Sequence, residues 1–366
     1  MTVLDDARLA RAFQCAEQSI GLSDPNPRVG CVIGSQDGTI LAEGWTQAAG
    51  QAHAEVAALA DARNRGIDVR GATAWVTLEP CSHHGRTPPC CNALIDAGIA
   101  RVVIASLDPN PAVHGRGVEV LRHAGLEVEL AADRHAARCR ELNIGFFSRM
   151  TRGRAWVRMK LAISLDGRAA LPDGQSQWIT SAQARADGHA WRARAGAILT
   201  GIGTVLADDP TLNVRQVPVQ RQPLCAVVDS HARLPPGARL RQPARPVLAY
   251  VGADADARAL EAVGVLIHRC PPGAAGLDLG AVIDDLGARE VNELHVEAGP
   301  GLSGSLFARG QVDEMLVYVA PMLLGPGRDA VALDARRQLP FAPDFRFESV
   351  TSVGPDLRLI LRRCSG

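Results

Sequence analysis

The 366-residue sequence lacks any run of about 18 consecutive apolar residues, which excludes an obvious membrane-spanning helix and predicts no membrane partner. It also lacks net charge, since 39 Lys plus Arg are matched by 39 Asp plus Glu. That balance removes the sequence-wide electrostatic attraction on which non-specific nucleic-acid binding depends. Aromatic residues make up only 4% of the chain, leaving few platforms on which single-stranded bases would stack. No nucleic-acid partner is therefore expected. Lysine is almost missing: of the 39 cationic residues only Lys160 is a lysine. In a chain that otherwise uses arginine, one retained ammonium marks a position to watch, although chance alone could leave it. Cysteine is present but unpaired in pattern: nine are scattered along the chain, an odd number with no short disulfide framework, which favours reduced thiols. Asp5 and Asp6 stand where a secretory signal would place cations, so a cytoplasmic location is expected.

What is present is an ordinary globular composition, 47% hydrophobic and 21% charged, at a length suited to two domains. Short apolar runs alternate with amphipathic stretches, the pattern of α/β domains with largely parallel sheets. In the first half, Val29–Ile33, Ala72–Leu78 and Val102–Ser106 read as strands, and residues 5–20, 54–64, 90–97, 116–124 and 132–148 as helices. The polar run Arg149–Arg154 separates a helical pattern from a new strand, which sets domain limits of 1–150 and 151–366. In the second half, strands are expected at Trp156–Ser164, Leu224–Asp229, Val247–Val251, Glu293–Glu297, Met315–Ala320 and Leu357–Leu361, with loops at Gln216–Gln222 and Leu234–Pro246. Period-two alternation in the first of these strands puts Val157, Met159, Leu161 and Ile163 on a core face, and Lys160, Ala162 and Ser164 on the other.

Three elements in the first half carry chemistry: His53-Ala54-Glu55 opening a helix, Pro80-Cys81, and Cys90 after Pro88-Pro89. One imidazole and two thiolates suit Zn2+, and three protein ligands leave a fourth tetrahedral position for water, as a catalytic site requires. Glu55 is then the proton carrier between that water and a departing amine. H-x-E followed by P-C and a second Cys is the signature of zinc-dependent nucleobase deaminases, which have two residues between the cysteines. Here eight residues separate Cys81 from Cys90. Cys91 is the alternative second ligand, but it should point about 100° away from Cys90 around the helix. The plainer alternatives are that these are core residues, or a closed structural zinc site that recruits Cys91. Against both, the motifs occur together at strand-to-helix junctions, where open α/β sheets place their sites.

The run L-E-P-C-S-H-H-G-R-T-P-P-C from Leu78 to Cys90, P-N-P-R-V-G from Pro25 and D-P-N-P from Asp108 resemble the deaminase half of the bifunctional riboflavin-biosynthesis family. That family joins a diaminohydroxyphosphoribosylaminopyrimidine deaminase to a 5-amino-6-(5-phosphoribosylamino)uracil reductase, and its longer Cys-to-Cys spacing matches the one here. The resemblance continues through K-L-A-I-S-L-D-G from Lys160, S-Q-W-I-T from Ser176, G-T-V-L-A-D-D-P from Gly203 and V-E-A-G-P from Val296. It implies a cytidine-deaminase-like α/β/α domain followed by a dihydrofolate-reductase-like α/β domain. It makes His53, Cys81 and Cys90 the zinc ligands and Glu55 the proton donor and acceptor, with Asn26, His83 and Arg86 binding a phosphoribosyl pyrimidine. His114 stands where the family pattern leads one to expect a small residue.

In the second half, Leu294–Glu297 precedes Gly299-Pro300-Gly301-Leu302-Ser303-Gly304, a G-x-G-x-x-G in strand-to-helix context that can hold a phosphate. Alone it is a weak signal, equally readable as a tight turn, and the next strand carries no acid to grip a ribose 2'-hydroxyl. The resemblance implies instead an NADPH site made by Ala162, Trp178, Thr204, Asp208, Ser230 and the Gly299–Ser305 loop, Ser305 included. It places substrate contacts at Ser176, Arg192, Leu212, Arg215 and Glu297, the two arginines being suited to a phosphate. Lys160 and Glu297 would orient the oxygens of the opened ribosyl group, with Asp208 near the proton to be delivered. Two other functions would use the same zinc ligands: a nucleic-acid-editing protein, which would need a basic groove, and a non-catalytic zinc scaffold with a fourth protein ligand. The Ala-rich helices and apolar strands make a homo-oligomer the expected assembly.

Overall fold

The computed structural model describes residues 2–84, 88–111, 113–242, 245–273, 276–335 and 344–364. It contains two compact units, Met1–Gly153 and Arg154–Gly366.

The first unit runs α1 (Val3–Glu17), β1 (Gly30–Gly34), β2 (Ile40–Trp45), α2 (Ala54–Asn64), β3 (Thr73–Val76), α3 (Cys90–Asp96), β4 (Arg101–Ile104), α4 (Arg116–His123), β5 (Glu127–Leu130), α5 (Asp133–Leu142) and α6 (Ile144–Arg152). Its sheet has the order β2-β1-β3-β4-β5. β1 is antiparallel to both neighbours, whereas β3, β4 and β5 are parallel, so the sheet is mixed. β1 and β3 are buried throughout, which is why they read as continuous apolar runs without alternation. α1 starts with a capping box, Thr2 accepting from the Asp5 amide while the Asp5 carboxylate accepts from the Thr2 backbone. It then packs directly on β1 at Gly30, where an added Cβ would lie 1.9 Å from the Ala12 carbonyl oxygen. The core is completed by Leu9, Phe13, Trp75, Leu94, Ile104 and Leu121, large side chains that each stabilise by roughly 1.5–3 kcal/mol on burial.

The stretch 132–148, expected as one helix, is two. The break falls at Asn143, whose side chain accepts from the Arg28 amide (2.7 Å) and donates to the Arg28 carbonyl (3.0 Å). These bonds hold Asn143 at φ −110°, ψ 25°, outside the helical region. Strands β2 and β5 have no counterpart among the strands expected from the sequence.

The second unit runs β6 (Trp156–Ser164), β7 (Arg168–Ala170), α7 (Ala182–Arg194), β8 (Ala197–Gly201), α8 (Ile202–Asp208), β9 (Leu224–Val228), β10 (Val247–Gly252), α9 (Arg258–Glu261), β11 (Leu266–Cys270), β12 (Pro272–Gly273) and β13 (Gly276–Leu277). It continues with α10 (Leu279–Ala288), β14 (Glu293–Val296), α11 (Pro300–Ala308), β15 (Glu314–Ala320), β16 (Arg328–Asp329), β17 (Phe345–Val353) and β18 (Asp356–Arg363). Nine strands form one sheet in the order β11-β10-β9-β8-β14-β6-β15-β18-β17, parallel as far as β15 and antiparallel beyond. β6 is interior, between β14 and β15. Val157, Met159 and Leu161 are buried in one core with Leu294, Val296 and Val317. The opposite face carries Arg158, Lys160 and Ala162. Arg158 is fully buried there between Glu293 (2.6 Å) and Glu314. The loop expected at 234–246 contains one 3-10 turn, Arg239–Arg241.

Candidate active sites

In the first unit the junctions after β2 and β3 converge. His53 is the N-cap of α2, Glu55 is the second residue of that helix, Cys81 follows β3 after Pro80, and Cys90 opens α3. His53 Nδ1 lies 3.6 Å from Cys81 Sγ and 3.3 Å from Cys90 Sγ, and the three ligand atoms all fall within 4.8 Å of one another. A tetrahedral ion with zinc–sulfur and zinc–nitrogen bonds of ordinary length needs an N···S edge of about 3.5 Å, so the donor set fits Zn2+. The Cys90 amide also donates to Cys81 Sγ (3.3 Å). Hydrogen bonds with Cys90 and His53 pull the Cys81 thiol down against the opposing effect of burial, while the same contact and burial push Cys90 up. Cys91 is turned away: its thiol donates to the Pro80 carbonyl (3.3 Å), and it is fully buried.

Glu55 is only 3% exposed. Burial, reinforced by the neighbouring Cys81 charge and opposed by His53, raises its carboxyl to about 7, which suits a group that must both take and give a proton near neutrality. Asn26 is half-buried in the turn before β1, its amide donating to the Ser23 carbonyl (2.8 Å). His83 is exposed, and Arg86 lies outside the described residues. His114, in the D-P-N-P loop, is bonded through Nδ1 to the Asp108 carbonyl oxygen (2.9 Å). Two acids of this unit lie inside the quoted motifs but carry no role in the sequence analysis. Asp108 is raised to about 6, chiefly by burial and further by Glu79 and Cys81. Glu79 is buried immediately before Pro80-Cys81. The available signal was an acid between an apolar strand and a metal-ligand motif.

In the second unit the C-terminal ends of β6, β8 and β14 gather most of the expected residues. Arg192, on α7, binds Glu297 with Nε on Oε1 and Nη2 on Oε2 (2.8 Å), and its Nη1 donates to the Asn213 carbonyl (3.0 Å). Burial pushes Glu297 upward, but Arg192 and His295 outweigh it and hold the carboxyl well below the usual range. His295 Nε2 lies 3.2 Å from Glu297 Oε1. Lys160 is half-buried; burial lowers its ammonium, with Glu297 opposing and Arg192 adding to the fall. The Gly299 amide donates to Thr204 Oγ1 (3.0 Å), bringing the start of α8 against the Gly299–Ser305 segment. Pro300 occupies the first turn of α11, and Ser303 Oγ donates to the Ala298 carbonyl (3.3 Å). Gly304 is obligatory, because a Cβ there would stand 1.8 Å from the Ala332 carbonyl oxygen.

Leu212 is buried in the left-handed region (φ 47°), with its carbonyl held by Arg245 Nη1 (2.7 Å). Arg215 is exposed, donating to Asn213 Oδ1 (3.3 Å). Ser230 is half-buried just beyond β9, and its carbonyl accepts from the Gly252 amide (3.0 Å). Ser176 is half-buried, and Trp178 is exposed with Arg185 over its ring at 4.3 Å. Asp208 ends α8, exposed, and among the described residues its side chain makes no hydrogen bond or ion pair.

All nine cysteines are free thiols, and among the described residues no helix is long and apolar enough to cross a membrane. Residues 4–106 match the cytidine and deoxycytidylate deaminase zinc-binding region, and residues 155–359 match the RibD C-terminal domain. The chain is 46% identical to the riboflavin biosynthesis protein RibD of Escherichia coli, over 98% of this chain and 99% of that protein. Identity to the RibD of Mycobacterium tuberculosis is 39%, over 97% and 96% of the two chains. Among solved structures it is similar to Acinetobacter baumannii RibD, with TM-score 0.87 and 38% identity over 99% of each chain. A deaminase/reductase from Thermotoga maritima aligns with TM-score 0.87 and 31% identity, again over 99% of each chain. With its metal-type cluster in one unit and its Arg192–Glu297 site in the other, the chain belongs to the RibD family of riboflavin biosynthesis proteins, which pair a deaminase with a reductase.

Proposed function

We propose that this chain carries out two consecutive steps on one phosphoribosyl pyrimidine. The first is hydrolysis of the 2-amino group of 2,5-diamino-6-(5-phosphoribosylamino)pyrimidin-4(3H)-one, releasing ammonia and giving 5-amino-6-(5-phosphoribosylamino)uracil. The second is NADPH reduction of the ribosyl to the ribityl side chain. The observation that carries this reading is the His53, Cys81 and Cys90 cluster with a buried Glu55 beside it.

His53, Cys81 and Cys90 would hold zinc; bound, it supplies the Lewis acidity that makes water a nucleophile at neutral pH. Glu55 accepts the proton of the attacking water and returns it to the departing ammonia. Asn26 and His83 bind the pyrimidine nucleotide, and Arg86 belongs to the same expected set. In the second unit, the α11 start with Gly299, Pro300, Gly301, Leu302, Ser303, Gly304 and Ser305 receives the NADPH diphosphate, with Thr204, Asp208, Ala162, Trp178 and Ser230 completing the cofactor site. Lys160 and Glu297 orient the opened ribosyl group, and Ser176, Leu212 and Arg215 bind the rest of the substrate. With Arg192 engaged by Glu297 and Asn213, the exposed Arg215 is the better phosphate ligand of the two.

Two broader expectations rest on the same reading. The nine free thiols suit a cytoplasmic location. A homo-oligomer is favoured by β17, an edge strand of nine residues that exposes Phe347 and Val350. Ammonia release and NADPH oxidation measured with the diaminopyrimidine nucleotide test both steps. Failure of either with zinc-loaded protein counts against the corresponding half.

A further inference from the structure

Glu79 is 4% exposed, and among the described residues its carboxylate makes no ion pair; it accepts from four backbone amides. Oε2 accepts from Asp108 (3.1 Å) and Gly115 (3.0 Å), and Oε1 accepts from Gly117 (2.8 Å) and Val118 (3.2 Å). Gly117 and Val118 belong to the first turn of α4, whose N-cap, Gly115, has no side chain to satisfy those donors. Capping alone would need only these two bonds. The other two go to Asp108 and Gly115, at the two ends of the loop that precedes the helix.

That loop borders the metal-type cluster. Asp108 is tied through the Glu79 carboxylate to the turn that carries Cys81. Its carboxylate accepts from the Asn110 amide (2.8 Å). On the other side, Glu79 is two residues from Cys81, and its own amide donates to Ser106 (2.9 Å), just before the loop. The helix start approaches this turn so closely that a Cβ on Gly117 would lie 2.2 Å from the Pro80 carbonyl oxygen. The same carbonyl accepts the Cys91 thiol. One buried carboxylate thus ties the ligand-bearing turn, Asp108, Gly115 and the start of α4 to one another.

We propose that Glu79 is a positioning residue for deamination: it holds Asp108 and Gly115, the two flanks of the segment before α4, in place as a wall of the pyrimidine-nucleotide pocket beside Cys81. The inference rests on the deaminase reading above. Preorganisation of this kind is felt mainly in substrate binding, because a wall that must be ordered by the substrate weakens its apparent affinity.

The test uses full-length, zinc-loaded protein. Glu79→Gln replaces one acceptor with an amide donor facing two N–H groups, which releases both ends of the loop if it takes the Oε2 position and the start of α4 if it takes the Oε1 position. The expected result is a rise in KM for ammonia release of about tenfold, the scale of a lost hydrogen bond to a charged group, with kcat within about threefold. Zinc content, the visible spectrum of the cobalt-substituted protein and NADPH oxidation with the deaminated substrate should match wild type. Gly117→Ala, which pushes α4 away from Pro80 while keeping Glu79, should show the same split. An unchanged KM in both folded variants would overturn the proposal, as would loss of zinc in step with activity, which would make Glu79 a support of the metal cluster instead. A wild-type protein that released no ammonia would overturn the deaminase reading and this inference with it.

Discussion

Arg192 grips Glu297 with two arms of its guanidinium and spends the third on the Asn213 carbonyl, so one side chain joins α7, the end of β14 and the loop that carries Leu212 and Arg215. Both partners are 15% exposed, partly shielded from water and salt. The pair fixes an anion beside Lys160, whose ammonium would otherwise lose more to burial.

Removing the cation should therefore cost more than removing the anion's charge. Arg192→Leu leaves a buried carboxylate without its fork, for an expected loss of roughly 2–4 kcal/mol, the upper end reduced because the pair is not fully buried. Glu297→Gln should be milder in stability yet equally poor in NADPH oxidation. Thermal unfolding and turnover of each variant check this order, and the reverse order would refute it.

Glu55→Gln keeps the shape of the first site and removes its proton carrier. Ammonia release should fall by about 10²–10⁴-fold. Zinc content should stay at the wild-type level, as should NADPH oxidation with the already deaminated substrate. A variant that still deaminates at the normal rate would remove Glu55 from the reaction.

Adjacent cysteines should separate cleanly. Cys90→Ala removes a ligand atom from the cluster and is expected to lose zinc. Cys91→Ala empties a buried position whose thiol binds the Pro80 carbonyl, so it should retain zinc and lose about 1–2 kcal/mol of stability. Metal analysis after dialysis distinguishes them.

Asp5 gives the first unit a pH dependence. Burial pushes its carboxyl upward, but hydrogen bonds from Arg101, Thr2 and Trp75 win and hold it well below the usual range. A depressed carboxylate stabilises the fold above its unfolded value of about 3.9, and that contribution is lost as pH falls toward the folded value. Asp5→Asn should therefore be less stable than wild type at pH 7 by roughly 2–3 kcal/mol, allowing for the partly exposed Arg101. The gap should close between about pH 5 and pH 2. A gap that persists at low pH would mean that packing, not charge, is what Asp5 contributes.

Much of this was legible in the sequence because the chemistry is written in short contiguous motifs. H-x-E and P-C lie at strand-to-helix junctions, and the sheet brings His53 together with Cys81 and Cys90. The period-two pattern of β6 likewise put Lys160 on the face opposite Val157, Met159 and Leu161. What was not legible depends on long-range partners. The break at Asn143 arises from bonds to Arg28, 115 residues away in sequence. β17 was missed because most of its residues are exposed, so it has no buried face to impose alternation. β8 lies in the Ala- and Gly-rich run Ala195–Gly201, whose small residues carry little strand preference. Arg192 read as a phosphate ligand because a sequence shows a cation but not the carboxylate that occupies it.

The interior position of β6 also bears on biosynthesis. It is the earliest strand of the second unit, yet its flanking strands β14 and β15 come near the end, and the bond from the Val157 amide to Asp313 bridges 156 residues. On the ribosome, the first unit has all its strands in hand while β6 is still an orphan hydrophobic segment awaiting neighbours. Chaperone demand and aggregation risk during translation should therefore fall on the reductase half, and destabilising substitutions there should show first as lost soluble yield.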